Sequence, residues 1–355
     1  MTDKLSCNNA EHTTESTAAA PRFSVIVPLY NKAPYVAKCL QSILSQSFTA
    51  FEVVIVDDGS TDDSADIVRG FQDDRIKLIA QPNQGVSAAR NRGIGEARCD
   101  LVAFLDADDW WGEDYLCEMA RLADLYPDVS LYCAVYAHVQ QGQIHVAKLP
   151  IPAGGPYIVF DAIEESVRRG TFLLPFSSSS TVIRKDILAK AGLFDTRLSF
   201  YEDYDLFIRA SVFSRCGAFV GKALAFYVKD VPAAERATGC LFPLGRSLVG
   251  NLGKLDEFQP LHPALSDYVD CFRLFNLMPY VEAGYPAEVI QPLVRPTDPR
   301  RLTWVHRLYY AYTPGGRLFV WLNVRRRRFA AMVRSIVRSF SPMRQRSLPA
   351  QGEST

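Results

Sequence analysis

Residues 51–64 read FEVVIVDDGSTDDS. The first six, apolar but for Glu52 and ending in four β-branched residues, have the length of one buried strand. The acidic pair Asp57 and Asp58 with Gly59 breaks it. Ser60, Thr61 and Asp62 then offer capping side chains for a helix reaching Phe71. The same unit recurs on either side. Residues 23–28 (FSVIVP) precede a helix over 34–46, with Val36, Leu40, Ile43 and Leu44 at helical spacing. A strand at 76–80 precedes a helix at 86–97, and LVAFL at 101–105 precedes a helix at 113–125. Alternating apolar strands and helices predict an α/β fold: a doubly wound, mostly parallel sheet with helices on both faces. Right-handed crossovers gather the strand carboxyl ends on one edge, where ligands bind.

After Leu131 the alternation weakens. Helices are expected at 161–169, 185–191 and 202–212, a strand near 218–227, and mainly helices separated by prolines over 243–340. The predicted organisation is a disordered leader at 1–21, an α/β domain at 22–240 with halves 22–130 and 131–240, a helical extension at 241–298, and a basic amphipathic tail at 299–355. The 355 residues carry 39 Lys and Arg against 39 Asp and Glu, a formal net charge of zero, so no global field points to nucleic acid. The eight cysteines show no CxxC pair and read as reduced, mostly buried thiols of a cytoplasmic protein. No stretch reaches the ~18 apolar residues that span a bilayer, and the N-terminus lacks the apolar core of a signal peptide.

Three acidic clusters fall where the sheet places ligands. They are Asp57 and Asp58 after the second strand, Asp106, Asp108 and Asp109 in LDADD after the fourth, and Glu202, Asp203 and Asp205 opening a later helix. Carboxylates gathered at strand ends repel unless something cationic or hydrogen-bonding separates them. A divalent metal is one answer, and hard oxygen ligands suit Mg²⁺ or Mn²⁺. Taken singly, DD and DxD serve equally as turn and helix-cap residues.

The segments SVIVPLYNKAPYVAKCLQSILSQSF, FEVVIVDDGSTDDS, QPNQGVSAARNRGI and LVAFLDADDWW resemble, in order and spacing, the N-terminal half of family 2 glycosyltransferases with the GT-A fold. STVIRKDILAKAGLFD and YEDYDLFIR resemble the acceptor-side half. The resemblance covers about residues 23–227. It implies an inverting, metal-dependent transfer of one sugar from a nucleotide-sugar, expected to be a UDP-sugar, to a hydroxyl of an acceptor glycan or lipid-linked glycan, in surface polysaccharide biosynthesis. Pro28 and Tyr30 would line the base pocket. Asp58 would accept a hydrogen bond from the base, while Asp57 holds the turn. Asn83 and Arg90 would flank the nucleotide, and Asp106 would contact the ribose or the metal shell. Asp108 would be the metal ligand and Asp203 the general base, with Glu202 its competitor. Trp110 and Trp111 either stack on sugar faces or anchor the following helix.

Two departures stand out. Where relatives carry a Y-R-x-H-like stretch whose His reaches the metal, this chain has Tyr227-Val228-Lys229-Asp230. Either Asp230 supplies an oxygen instead or the protein gives no ligand there. The Q-x-x-R-W motif and transmembrane helices of processive members are absent, which favours single-sugar transfer. A nucleotide-sugar pyrophosphorylase would need a G-x-G-T-R-like loop, and PLYNKAP is not one. A catalytically inactive sugar-binding module is the other rival.

Residues 299–349 contain no Asp or Glu, while arginines, including Arg325 to Arg328, interleave with Trp304, Tyr309, Phe319, Trp321, Phe329 and Phe340. A basic amphipathic helix with aromatics is the signature of a segment lying on an anionic membrane surface. It would place the protein peripherally on the inner face of the cytoplasmic membrane. The alternative is packing against the catalytic domain.

Overall fold

The computed structural model describes residues 20–230 and 241–298. The predicted tail, and the leader up to residue 19, lie outside them. β1 (Phe23–Leu29) and β2 (Phe51–Asp57) are buried along their whole length. β3 (Ile76–Ala80) is partly exposed, because it forms the sheet edge beside β2. β4 (Leu101–Phe104) pairs parallel to β1 on the other side. These strands, with α1 (Val36–Leu44), α2 (Ser64–Arg69) and α3 (Val86–Glu96), make the predicted parallel block.

The eight-stranded sheet then continues as β10 (Thr181–Arg184), β6 (Leu131–Ala134), β11 (Cys216–Phe219) and β9 (Tyr157–Phe160). β10 is antiparallel to both β4 and β6, so the sheet is mixed in this half. The strand expected near 218–227 is in fact two strands in different sheets. β11 ends at Phe219, and β12 (Ala225–Val228) joins a four-stranded sheet ordered β5-β12-β7-β8. In that sheet β5 is Trp110–Trp111, β7 is Tyr136–Gln140 and β8 is Gln143–Val146. Strand β5 leads into α4 (Tyr115–Leu125).

The helices expected after Leu131 form near the predicted places, as α5 (Ala162–Arg168), α6 (Lys185–Ala191) and α7 (Glu202–Phe213). Beyond residue 243 the first helices expected are instead 3₁₀ turns, down to Leu261. Gly245, Gly250, Gly253 and Pro260 deny that stretch a regular α-helix. It docks on the segment just before α7: Ser199 N donates to Arg246 O at 2.8 Å and Leu248 N to Phe200 O at 3.2 Å. One compact unit therefore runs past 240 to Asn276. The second begins at Leu277, inside α8 (Leu265–Glu282), and carries α9 (Ala287–Val294). Among the described residues no helix is long and apolar enough to cross a membrane. Among the described residues Cys39, Cys99, Cys133, Cys216 and Cys271 are free and buried.

Candidate active site

The turn after β2 explains its own sequence. Asp57 Oδ1 accepts from Ser60 N at 3.0 Å, the turn-holding role expected of it. Gly59 sits at φ +77°, and a Cβ there would lie 2.9 Å from Asn83 N, so both the left-handed backbone and the close approach call for glycine. Asp58 is buried and holds the neighbouring loop. Its Oδ1 accepts from Gln81 Nε2 (2.8 Å) and Gln84 N (2.9 Å), and its Oδ2 from Gly85 N (2.7 Å). Asn83, in that loop, is exposed. Pro28 is buried in β1, and Tyr30, one residue past the strand, is 45% exposed. The loop from Asn31 is pinned to the same turn: Thr61 N donates to Asn31 Oδ1 at 2.8 Å and Lys32 N to Ser64 Oγ at 2.7 Å.

Helix α3 brings Arg90 to the carboxyl end of β4. It can pack this closely because Gly93 faces β1, where a Cβ would meet Ile26 Cγ2 at 2.4 Å. Arg90 is buried and bridges both halves of the domain, with Nη2 2.7 Å from Asp106 Oδ1 and Nη1 3.1 Å from Glu202 Oε1. Phe194 lies under its guanidinium at 5.2 Å.

Asp108, one residue after Ala107, is partly exposed, and its Oδ2 is 2.8 Å from Lys32 Nζ. Asp109 turns inward and accepts from Ser179 Oγ (2.5 Å) and Val228 N (3.0 Å). Burial pushes the Asp109 carboxyl well above the usual range, and the Asp108 and Asp106 charges add to it. Burial raises the neighbouring Cys39 thiol in the same way, leaving it unreactive at neutral pH.

Tyr201 initiates α7 in the left-handed region, at φ 61°. The two acids that follow have different surroundings. Glu202 is held by Arg90. Asp203 accepts from Tyr204 N at 2.8 Å, and its carboxyl is pushed up to about 7. Burial is the main cause, the Glu202 charge adds to it, and Arg90 opposes it. Behind them the fully buried Asp205 binds Arg209 Nη2 (2.6 Å) and Lys254 Nζ (2.9 Å), and Lys254 also reaches Asp195 (2.6 Å). That network fixes the start of α7.

Two expectations are corrected. Trp111 is 3% exposed, stacks on Tyr115 at 4.1 Å and donates from Nε1 to Ser179 O at 2.6 Å, so it anchors α4 and has no face for a sugar. Trp110 is half-buried, with Phe226 stacked at 5.6 Å and Lys38 Nζ 2.9 Å from its ring centre. Asp230 is exposed, and its Oδ2 accepts from Gln141 N at 2.7 Å, holding the β7–β8 turn. It forms no three-carboxylate cluster with Asp106 and Asp108, since among the described residues no group of three or more His, Cys, Asp or Glu side chains is placed to hold a metal. The sequence reading missed Lys32, Ser179 and Lys254, whose partners lie far along the chain.

Residues 24–190 match the model of the family described as Glycosyl transferase family 2. The chain is similar to the glycosyltransferase GlyA of Streptococcus pneumoniae, at 46% identity over 97 residues, 27% of this chain and 14% of that protein. It is also similar to the uncharacterized glycosyltransferase YibD of Escherichia coli K12, at 44% over 90 residues, 25% and 26% of the two chains. The matched stretch spans less than a third of the length of these curated relatives. Among solved structures, residues 1–349 of S. aureus TarS in complex with UDP-GlcNAc have a similar fold, with a TM-score of 0.66 at 18% identity over 84% of this chain and 89% of that one.

Proposed function

Starting from a family 2 glycosyltransferase domain with a GT-A fold over residues 24–190, we propose that this protein transfers a single sugar from a UDP-sugar to a hydroxyl of an acceptor glycan or lipid-linked glycan, with inversion. The observation that carries this reading is the unequal ED pair. Glu202 is committed to Arg90, while Asp203 keeps a carboxyl titrating at about 7. A general base works best when its pKa lies near the operating pH. Asp203 takes the proton of the acceptor hydroxyl as that oxygen attacks the anomeric carbon. The carbon–oxygen bond to the diphosphate breaks on the opposite face.

On the donor side, Tyr30 and Asn83 form the exposed rim against which a base would lie, with Pro28 beneath. Asp57 and Asp58 keep that rim in shape, and Arg90 holds Asp106 toward the ribose. The TarS complex with UDP-GlcNAc supports a uridine nucleotide without choosing the sugar. Asp108 offers one hard carboxylate, a donor set that suits Mg²⁺ or Mn²⁺ when phosphate oxygens and water complete the shell. A bound ion would neutralise charge developing on the departing diphosphate. The composition of residues 299–355 supports a peripheral attachment to an anionic membrane surface, where lipid-linked acceptors reside.

The test is a screen of UDP-sugars for donor hydrolysis and transfer with Mn²⁺ or Mg²⁺, comparing wild type with Asp203→Asn. Turnover by wild type and none by the variant is expected. An Asp203→Asn enzyme as fast as wild type would remove the base from this scheme.

A further inference from the structure

A groove of about 280 Å³ opens beside the four-stranded sheet, walled by Tyr136, His138, His145, Lys148, Leu173 and Leu174 among others. It adjoins the catalytic base from two directions. The Leu174 backbone lies close enough to the hydroxyl of Tyr204, the residue after Asp203, to act on it. Tyr136 lies close enough to Asp203 for its phenol to feel that charge. Leu173 and Val146 are 40% and 60% exposed, so the mouth is apolar and open.

Apart from the Tyr136 phenol, the titratable side chains lining the groove are His138, His145 and Lys148, with no carboxylate among them. His138 and His145 face each other across the β7–β8 ladder, and burial, with the Lys229 and His145 charges adding to it, pushes the His138 ring below its ordinary value and so toward the neutral form. Tyr136 and Tyr227 pack edge-on to that ring at 5.5 and 5.7 Å. His138 Nδ1 is buried with no hydrogen-bond partner, a state that buried polar atoms rarely keep without a ligand or water. Neither Lys148 nor Lys229 has a carboxylate partner among the described residues. Asp230, next to Lys229 in the chain, is turned to the Gln141 amide.

We propose that this groove is the acceptor subsite and that it binds a sugar carrying an anionic group, a phosphate or a carboxylate. The sugar ring lies along Tyr136, and the anion lies toward His138, His145, Lys148 and Lys229. This assignment rests on the glycosyltransferase reading for its orientation toward Asp203. The volume is at the small end of ligand pockets, which run from about 300 Å³ upward. It therefore suits one terminal residue of an acceptor and leaves the remainder of the glycan in solvent. Charge-assisted hydrogen bonds are roughly twice as strong as neutral ones, so the anion rather than the ring should set affinity.

The test uses the full chain and four probes: glucose, glucose 6-phosphate, glucuronate and inorganic phosphate. Binding is read by ligand-observed NMR with and without saturating UDP, whose own affinity is measured in parallel. Glucose 6-phosphate or glucuronate should bind at least about tenfold more tightly than glucose, a difference of about 1.4 kcal/mol. The double variant His145→Gln, Lys148→Gln should erase that preference and leave UDP affinity unchanged. Equal binding of glucose and both anionic sugars would overturn the proposal, as would inorganic phosphate binding as tightly as the sugar phosphate. Absence of all sugar binding in a protein that binds UDP would overturn it too. A protein that binds the anionic sugars yet neither binds UDP nor hydrolyses UDP-sugars would keep the groove and lose the catalytic reading.

Discussion

The ammonium of Lys32 lies 2.8 Å from the Asp108 carboxylate, so the side chain proposed to hold a metal already holds an internal cation. Lys32 is brought there by its own backbone, whose N–H is fixed on Ser64 Oγ. Any ion arriving at Asp108 has to displace or share that ammonium. Lys32→Met should therefore tighten Mn²⁺ binding in the absence of nucleotide by roughly three- to tenfold, the scale of one partly exposed ion pair. Mn²⁺ electron paramagnetic resonance titration reads this directly. Unchanged affinity would mean that the pair does not compete with metal.

Asp108→Ala should lose at least ~10²-fold in kcat, the scale of one charge-stabilising group, with the fold intact by circular dichroism. Because Asp230 holds a turn through Gln141, Asp230→Ala should leave the metal titration of activity where it was. A weakened titration would return Asp230 to the metal shell.

Arg90 joins Asp106 to Glu202 with almost no exposure. Removing one member of a buried ion network leaves uncompensated charge and typically costs about 3–5 kcal/mol. Arg90→Met should lower the thermal midpoint accordingly, and Glu202→Gln should lower it less, since Asp106 remains paired. A thermal midpoint for Arg90→Met within a degree of wild type would show that solvent, rather than the arginine, carries those carboxylates.

The parts of the fold that were legible in the sequence were those written locally. β1, β2 and β4 are short, mainly apolar runs, β2 and β4 lead into acids, and each acid cluster marks a strand end or helix start. The four-stranded sheet escaped because β5 is two residues and β12 four, too short for any periodicity. The break between β11 and β12 escaped because only Gly221 and Lys222 interrupt an otherwise apolar stretch. In the site, the acids were visible but their partners were not. Ser179 meets Asp109 from 70 residues away, and Lys254 meets Asp205 from 49. Glu202 and Asp203 are chemically alike in sequence, and only the position of Arg90 tells them apart.

The basic stretch at 299–349 is expected to bind anionic vesicles, each surface basic residue contributing about 1 kcal/mol. Full-length protein should co-sediment with vesicles containing phosphatidylserine at low salt. It should be released toward 1 M salt, where the Debye length falls to about 3 Å. Replacing Arg325 to Arg328 with glutamine should weaken the interaction without affecting UDP binding. Equal sedimentation of the two proteins would assign membrane attachment elsewhere.

The raised carboxyl of Asp203 makes two predictions of opposite sign. For catalysis the base must be ionised, so kcat/KM should rise with pH along a limb of apparent pKa near 7. Asp203→Asn should lose that limb together with about 10²- to 10⁴-fold in rate. For stability the linkage runs the other way. The unfolded carboxyl ionises near its ordinary value of about 3.9, and the folded one only near 7. Between those values the unfolded state has released a proton that the folded state keeps, so the native protein loses stability as pH rises through this window. Asn cannot ionise and escapes the loss. Asp203→Asn should therefore melt higher than wild type at pH 8, and the gap should close toward pH 4. Glu202 shares the burial and carries its own charge, so Glu202→Gln should also shift the catalytic limb, downward in pH, by removing a repelling neighbour. A thermal gap that is the same at pH 4 and pH 8 would place the raised pKa on another group.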